Sequence, residues 1–267
     1  WITPRLESNP LGVFAVDPAS PQFTDPALLF YGDSFTHGFQ VLEDHLDSKL
    51  RERLQIPVYN FGVAGYGLDQ SLLRLQKTHA QFSQPQILFG MLTSDIDRCL
   101  LSIRGAPKPY FLIRDEDLVL QGVPLSTPIS DWIAEHPPQI SSFLIAFVTQ
   151  QIKRFTQDWS EGPYRRDEKM RLAKRLLEEL HTYAEQADLP LTIAVFYTPR
   201  EFPITGWRER ILLDHCRTLG LNVIDTKPIL LEAAHREGKG IESYYRPDDH
   251  LNEQGNRVVA QALVEQF

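Results

Sequence analysis

Short, continuous apolar runs alternate along this chain with helix-period apolar patterns, and that alternation constrains the fold more than any other feature. The first run is Ala27-Leu28-Leu29-Phe30-Tyr31. It does not alternate apolar with polar, so both faces of the strand it predicts are buried. Further runs of this kind are Val58-Tyr59-Asn60-Phe61, residues 87–92, residues 191–197 and residues 222–225. Between them lie patterns with apolar residues at helical spacing. One carries Phe39, Leu42, Leu46, Leu50 and Leu54, read as one helix; another runs through Leu72 and Leu75. The C-terminal pattern places Val258, Val259, Ala262 and Leu263 on one side. Strands alternating with helices give an α/β fold with a parallel sheet covered by helices.

The repeat breaks after the third strand. Residues 103–126 hold prolines and two β-like runs around Asp115-Glu116-Asp117, which predicts a hairpin. Residues 127–160 read as a Pro-broken helical pair around His136-Pro137-Pro138. The whole stretch 103–160 is expected to be an insertion over one edge of the sheet, either a lid or an extra packing layer. Residues 1–26, rich in Pro, Ser and Asp, are expected to be an irregular arm. The expectation is a single domain over residues 1–267, in which the charged run 164–179 is a solvated helix face with Leu172, Leu176 and Leu180 turned inward.

Composition excludes several classes. The formal net charge of −8 repels phosphate backbones, so nucleic acid is not expected as a partner. No apolar run reaches the roughly 20 residues of a membrane span. The two cysteines, Cys99 and Cys216, have no metal-site spacing and read as buried thiols. No ligand cluster implies a metal or an organic cofactor. The chain begins at Trp1, which reads as a trimmed product with a signal or anchor removed upstream; localisation and oligomeric state are not legible.

Functional groups of a parallel sheet collect at the carboxyl ends of its strands. Three segments fall there. Gly32-Asp33-Ser34-Phe35-Thr36-His37-Gly38 follows the first strand, where a tight strand-to-helix turn projects the Ser34 hydroxyl. That suits a nucleophile, and it equally suits a helix N-cap. Asp248-Asp249-His250-Leu251-Asn252 precedes the last helix and offers an imidazole with a carboxylate two residues back. His37 is a nearby competitor, expected to point along its own helix. The turns after the second and third strands add Gly65, whose N–H can approach a bound oxygen closely, and Ser94-Asp95.

With those residues in view, G-D-S-F-T-H-G resembles the first block of the SGNH/GDSL hydrolase superfamily. Asn60-Phe61-Gly62-Val63-Ala64-Gly65 resembles its second block, and Asp248-x-His250-Leu251-Asn252 its last. The resemblance implies a flavodoxin-like three-layer α/β/α domain with a central parallel sheet. It implies Ser34 as nucleophile, His250 as base and Asp248 as the residue orienting it. The oxyanion hole would take the Ser34 and Gly65 N–H groups and a side chain from the third block. Asp33 and Asn60 would support the turns.

Two departures stand out. Ser94 occupies the place where the family's third block offers Asn, and losing one such donor costs roughly 3–4 kcal/mol in the transition state; the expectation is a hole that is weakened, completed by Thr93 or a water, or remodelled. Pro247 stands three residues before the histidine, where many members carry Asp, which leaves Asp248. The leading expectation is a serine esterase acting on small-molecule or glycan carboxylic esters. The alternatives are an O-acyltransferase on a glycan and a binding module with a degenerate oxyanion hole. A nucleotide-binding reading has no Gly-x-Gly-x-x-Gly or Gly-Lys-Ser/Thr motif to support it.

Overall fold

The computed structural model describes residues 27–38, 45–104, 106–123 and 166–267, with isolated positions between 130 and 148. The arm expected over residues 1–26, the helical pair 127–160 and any lid it forms lie outside the described residues or are described only at those isolated positions.

Five parallel strands form the sheet: β1 (Leu28–Tyr31), β2 (Val58–Asn60), β3 (Gln86–Leu92), β6 (Leu191–Phe196) and β7 (Asn222–Asp225), in the order β2-β1-β3-β6-β7. Register pairs Leu28 with Val58 on one side and with Gln86 on the other, then Ile87 with Leu191 and Thr192 with Asn222. Every residue of β1 is fully buried, as its unbroken apolar run requires. Counted within the sheet, this is the doubly wound order 2-1-3-4-5, in which the chain reverses direction between the first and third strands and leaves a crevice at their carboxyl ends.

Helices cover both faces. Helices α2 (Leu46–Leu54), α7 (Thr226–Glu237) and α8 (Glu253–Val264) pack together as one layer, and α3 (Leu68–Thr78), α5 (Arg166–Gln186) and α6 (Trp207–Thr218) as the other. The inward stripe expected on the charged helix is present: Leu172, Leu176 and Leu180 of α5 are buried. The predicted hairpin appears as β4 (Tyr110–Arg114) paired antiparallel with β5 (Asp117–Gln121), and Asp115 and Glu116 at its tip both adopt positive φ.

One expectation needs correcting. The helix predicted from Phe39 through Leu54 is not continuous. A four-residue α1 (Ser34–His37) ends at Gly38, whose left-handed conformation (φ 65°) turns its N–H back onto the Ser34 carbonyl at 3.2 Å. The next helix begins only at Leu46, and residues 39–44 lie outside the described residues. The spacing of Phe39 and Leu42 with Leu46 fits a helix, but His45 between them is extended (φ −71°, ψ 158°) and is the N-cap at which α2 starts. Cys99 and Cys216 are separate buried thiols, and burial pushes both pKa values up.

Candidate active site

The turn after β1 is built around small residues. A Cβ on Gly32 would lie 2.2 Å from Thr36 Oγ1 and 2.6 Å from the Gly90 carbonyl, so only glycine lets α1 sit this close against β3. Asp33 caps α1 by accepting the Phe35 N–H at 2.9 Å. Ser34 is therefore the first helical residue rather than the cap, which leaves its hydroxyl uncommitted to capping. On the neighbouring strand, Asn60 donates from Nδ2 to the Thr36 carbonyl at 2.6 Å and accepts the Gly62 N–H at 2.9 Å, tying the ends of β2 and α1 together.

His250 reaches this turn from the far end of the chain. Its Nε2 lies 2.9 Å from Ser34 Oγ, across 216 residues of sequence. The loop that carries it is closed by the Arg246 N–H donating to the His250 carbonyl at 2.7 Å, and anchored by the Tyr245 hydroxyl donating to the Tyr197 carbonyl past the end of β6 at 2.9 Å. The Phe35 ring packs against the imidazole at 5.1 Å between centroids. On the other side of the ring, Nδ1 meets the backbone carbonyl of Asp248 at 3.1 Å, and the Asp248 carboxylate at 3.5 Å. A carbonyl only accepts, so Nδ1 carries the proton. Nε2 is then the lone-pair nitrogen facing the Ser34 hydroxyl. Asp248 thus touches the ring mainly through its main chain, and its carboxylate is half-exposed beside Arg246 at 3.7 Å. Asp249, with φ 66°, turns its carboxylate instead toward Arg200 at 3.7 Å. His37, the competitor, ends α1; burial, with the neighbouring His45 charge, lowers its pKa to about 4.

Gly65 has φ 87°. Among the described residues, neither its N–H nor that of Ser34 donates to a protein acceptor, so both remain open to a bound oxygen. Ser94 stands at the N-cap of the short helix α4 (Asp95–Arg98), and its hydroxyl makes no capping bond. Thr93 is not free to replace the missing Asn, because its hydroxyl donates to Glu201.

Arg98 is the residue that sequence reasoning missed. It is buried, and its Nη1 donates to Asp33 Oδ2 at 2.8 Å, to the Tyr66 carbonyl at 2.7 Å and to Asp95 Oδ1 at 2.6 Å. One guanidinium therefore ties the Ser34 turn, the Gly-rich turn and α4 into a single unit. One cation cannot neutralise two buried carboxylates. Burial first, and the Asp33 charge next, raise the Asp95 pKa well above the carboxylate range. Burial opposes the Arg98 charge, but Asp95 and Asp33 together raise its pKa. The available signal was the i, i+3 spacing of Asp95 and Arg98 in a segment too short to have a solvated face.

Among the described residues, no group of three or more His, Cys, Asp or Glu side chains could hold a metal ion, and no helix is long and apolar enough to cross a membrane.

No family model matches the chain, and no curated protein sequence matches it. Solved structures do. A lipolytic protein of the G-D-S-L family from Veillonella parvula aligns with a TM-score of 0.51 at 13% identity, covering 90% of this chain and 97% of that one. The chain has the G-D-S-L fold. An acetylxylan esterase from Geobacillus stearothermophilus aligns at TM-score 0.52 and 12% identity over 91% of this chain and 94% of its own. A hydrolase from the metagenome of Lake Arreo, Spain, gives 0.52 and 12% over 91% and 95%. On the G-D-S-L fold, the five-stranded sheet brings the first, second and last sequence blocks to one crevice.

Proposed function

We propose that this chain is a serine esterase that hydrolyses carboxylic esters, short acyl esters of carbohydrates foremost. The observation that carries the reading is the 2.9 Å approach of His250 Nε2 to Ser34 Oγ, with the opposite nitrogen held as the proton-bearing one. In this reading Ser34 Oγ attacks the ester carbonyl carbon as His250 Nε2 takes its proton. The oxyanion that forms is held by the Ser34 and Gly65 N–H groups and, more weakly, by the Ser94 hydroxyl. His250 then gives the proton to the departing alcohol oxygen, leaving an ester on Ser34. A water, deprotonated by the same nitrogen, releases the acid. The Asp248 carbonyl and carboxylate hold the imidazole in this orientation. Acetylxylan esterases among the structural neighbours favour a sugar-borne acyl group.

The test is turnover of a short nitrophenyl ester with labelling by a fluorophosphonate. Ser34→Ala and His250→Ala should each lose at least about a thousandfold in kcat, and Ser34→Ala should abolish labelling. Turnover near the parental rate in either variant overturns the assignment.

A further inference from the structure

Beside the Gly-rich turn opens a cavity of about 600 Å³, whose lining includes Gly65, Arg74, Lys77, Arg104 and Lys108 and, among the described residues, no carboxylate. Among the described residues that wall holds four cations and no anion, out of keeping with a chain of net charge −8. Lys108 is already neutralised, since its Nζ donates to the buried Asp69 carboxylate at 2.5 Å. Arg74 lies over the Phe61 ring, 5.7 Å from its centroid. Lys77, one turn further along α3, is exposed and makes no ion pair among the described residues. Arg104 sits where the cavity meets the candidate oxyanion hole: its Nε is 3.1 Å from the point a Cβ on Gly65 would occupy. It too makes no ion pair among the described residues; burial, and next the Arg98 charge, lower its pKa. Arg104 therefore lies between the Gly-rich turn and the cavity.

We infer that this cavity binds the alcohol part of the ester, and that Arg104 with Lys77 selects alcohols bearing a negative charge, such as a sugar carboxylate or sugar phosphate. The inference rests on the esterase reading of Ser34 and His250. A cavity of this size holds a sugar-sized group or larger, more than a short acyl chain needs. A guanidinium pairs with a carboxylate or phosphate in a bidentate, charge-assisted contact. Held there, the anion would set the distance between the sugar and the carbonyl at Ser34.

The experiment compares acetyl esters of a methyl glucoside, a methyl glucuronide and a sugar phosphate. The expected result is a kcat/KM at least about tenfold higher for one or both charged esters at low salt, shrinking as ionic strength rises. Whichever charged ester leads identifies carboxylate or phosphate as the group selected. Arg104→Gln should cut the charged-to-neutral ratio about tenfold, and Lys77→Gln, on a different element, should cut it in the same direction. In parallel, binding of uncleaved methyl glucuronide, methyl glucoside and the parent sugar phosphate to Ser34→Ala is measured by calorimetry. Equal kcat/KM for all three esters, with no salt dependence, overturns this inference and leaves the esterase intact. If no ester is cleaved, the esterase reading fails, and equal binding of the charged and neutral sugars to Ser34→Ala then removes the anion site as well.

Discussion

Replacing Arg98 by methionine keeps the length of the side chain and removes the charge that joins three turns. The variant strands two buried carboxylates and the Tyr66 carbonyl. Breaking a buried ion pair by removing one partner costs roughly 3–5 kcal/mol. Two features pull the value toward the lower end. Asp33 keeps the Phe35 N–H at 2.9 Å, and Asp95 keeps the Leu92 N–H at 3.0 Å. Asp95 can also take up a proton, because burial and the Asp33 charge already raise its pKa. We expect a loss of about 3 kcal/mol in urea unfolding near neutral pH. The sign of its pH dependence follows. A carboxyl whose pKa is raised on folding contributes stability below its unfolded pKa and loses it as pH climbs through the folded value. Losing Arg98 raises the folded pKa of Asp95 further. The deficit of Arg98→Met should therefore be larger in alkaline than in acidic buffer. Turnover should fall about a hundredfold, the order expected when reacting groups shift by about 1 Å. A deficit below about 1 kcal/mol at the higher pH, or one equal at both, refutes the account of Arg98 as the common tie.

Two substitutions test finer points of the site. Asp248→Asn should lower kcat by only about tenfold, far less than the roughly 10⁴ seen where a carboxylate alone fixes the tautomer, because the Asp248 backbone carbonyl already holds Nδ1; a loss of 10³ or more in steady-state turnover would assign the orientation to the carboxylate. Ser94→Asn should keep or raise kcat, since the longer amide restores a donor worth about 3 kcal/mol, and a large fall would mean that the Ser94 hydroxyl is placed for another purpose.

The strands were legible because burial on both faces leaves no room for polar residues, and the runs starting at Leu28, Ile87 and Leu191 have none to spare at their centres. Helix α7 was not assigned from sequence: Ile229, Leu230 and Leu231 are consecutive, which blurs the helical stripe, and Leu231 remains exposed. The start of α2 after His45 was hidden by apolar spacing that runs from Phe39 through Leu46. The Ser34 and His250 segments stood out as turns with reactive side chains at strand ends. Arg98 and Arg104 did not, because what an arginine does is set by tertiary neighbours: the first is buried among carboxylates from two turns, the second leans over Gly65. His45 was given no role from sequence; it is buried, pairs with Asp47 at 2.6 Å and meets the Phe35 carbonyl at 3.3 Å, bracing the turn from below.

The contact between Ser34 and His250 closes a loop of 216 residues. Contacts this distant in sequence are expected to form after the strand pairings they span. During refolding, far-ultraviolet signal from helices and sheet should thus recover before the serine becomes reactive. On the proposed esterase reading, reactivity of this one hydroxyl is then a clock for a late step of folding.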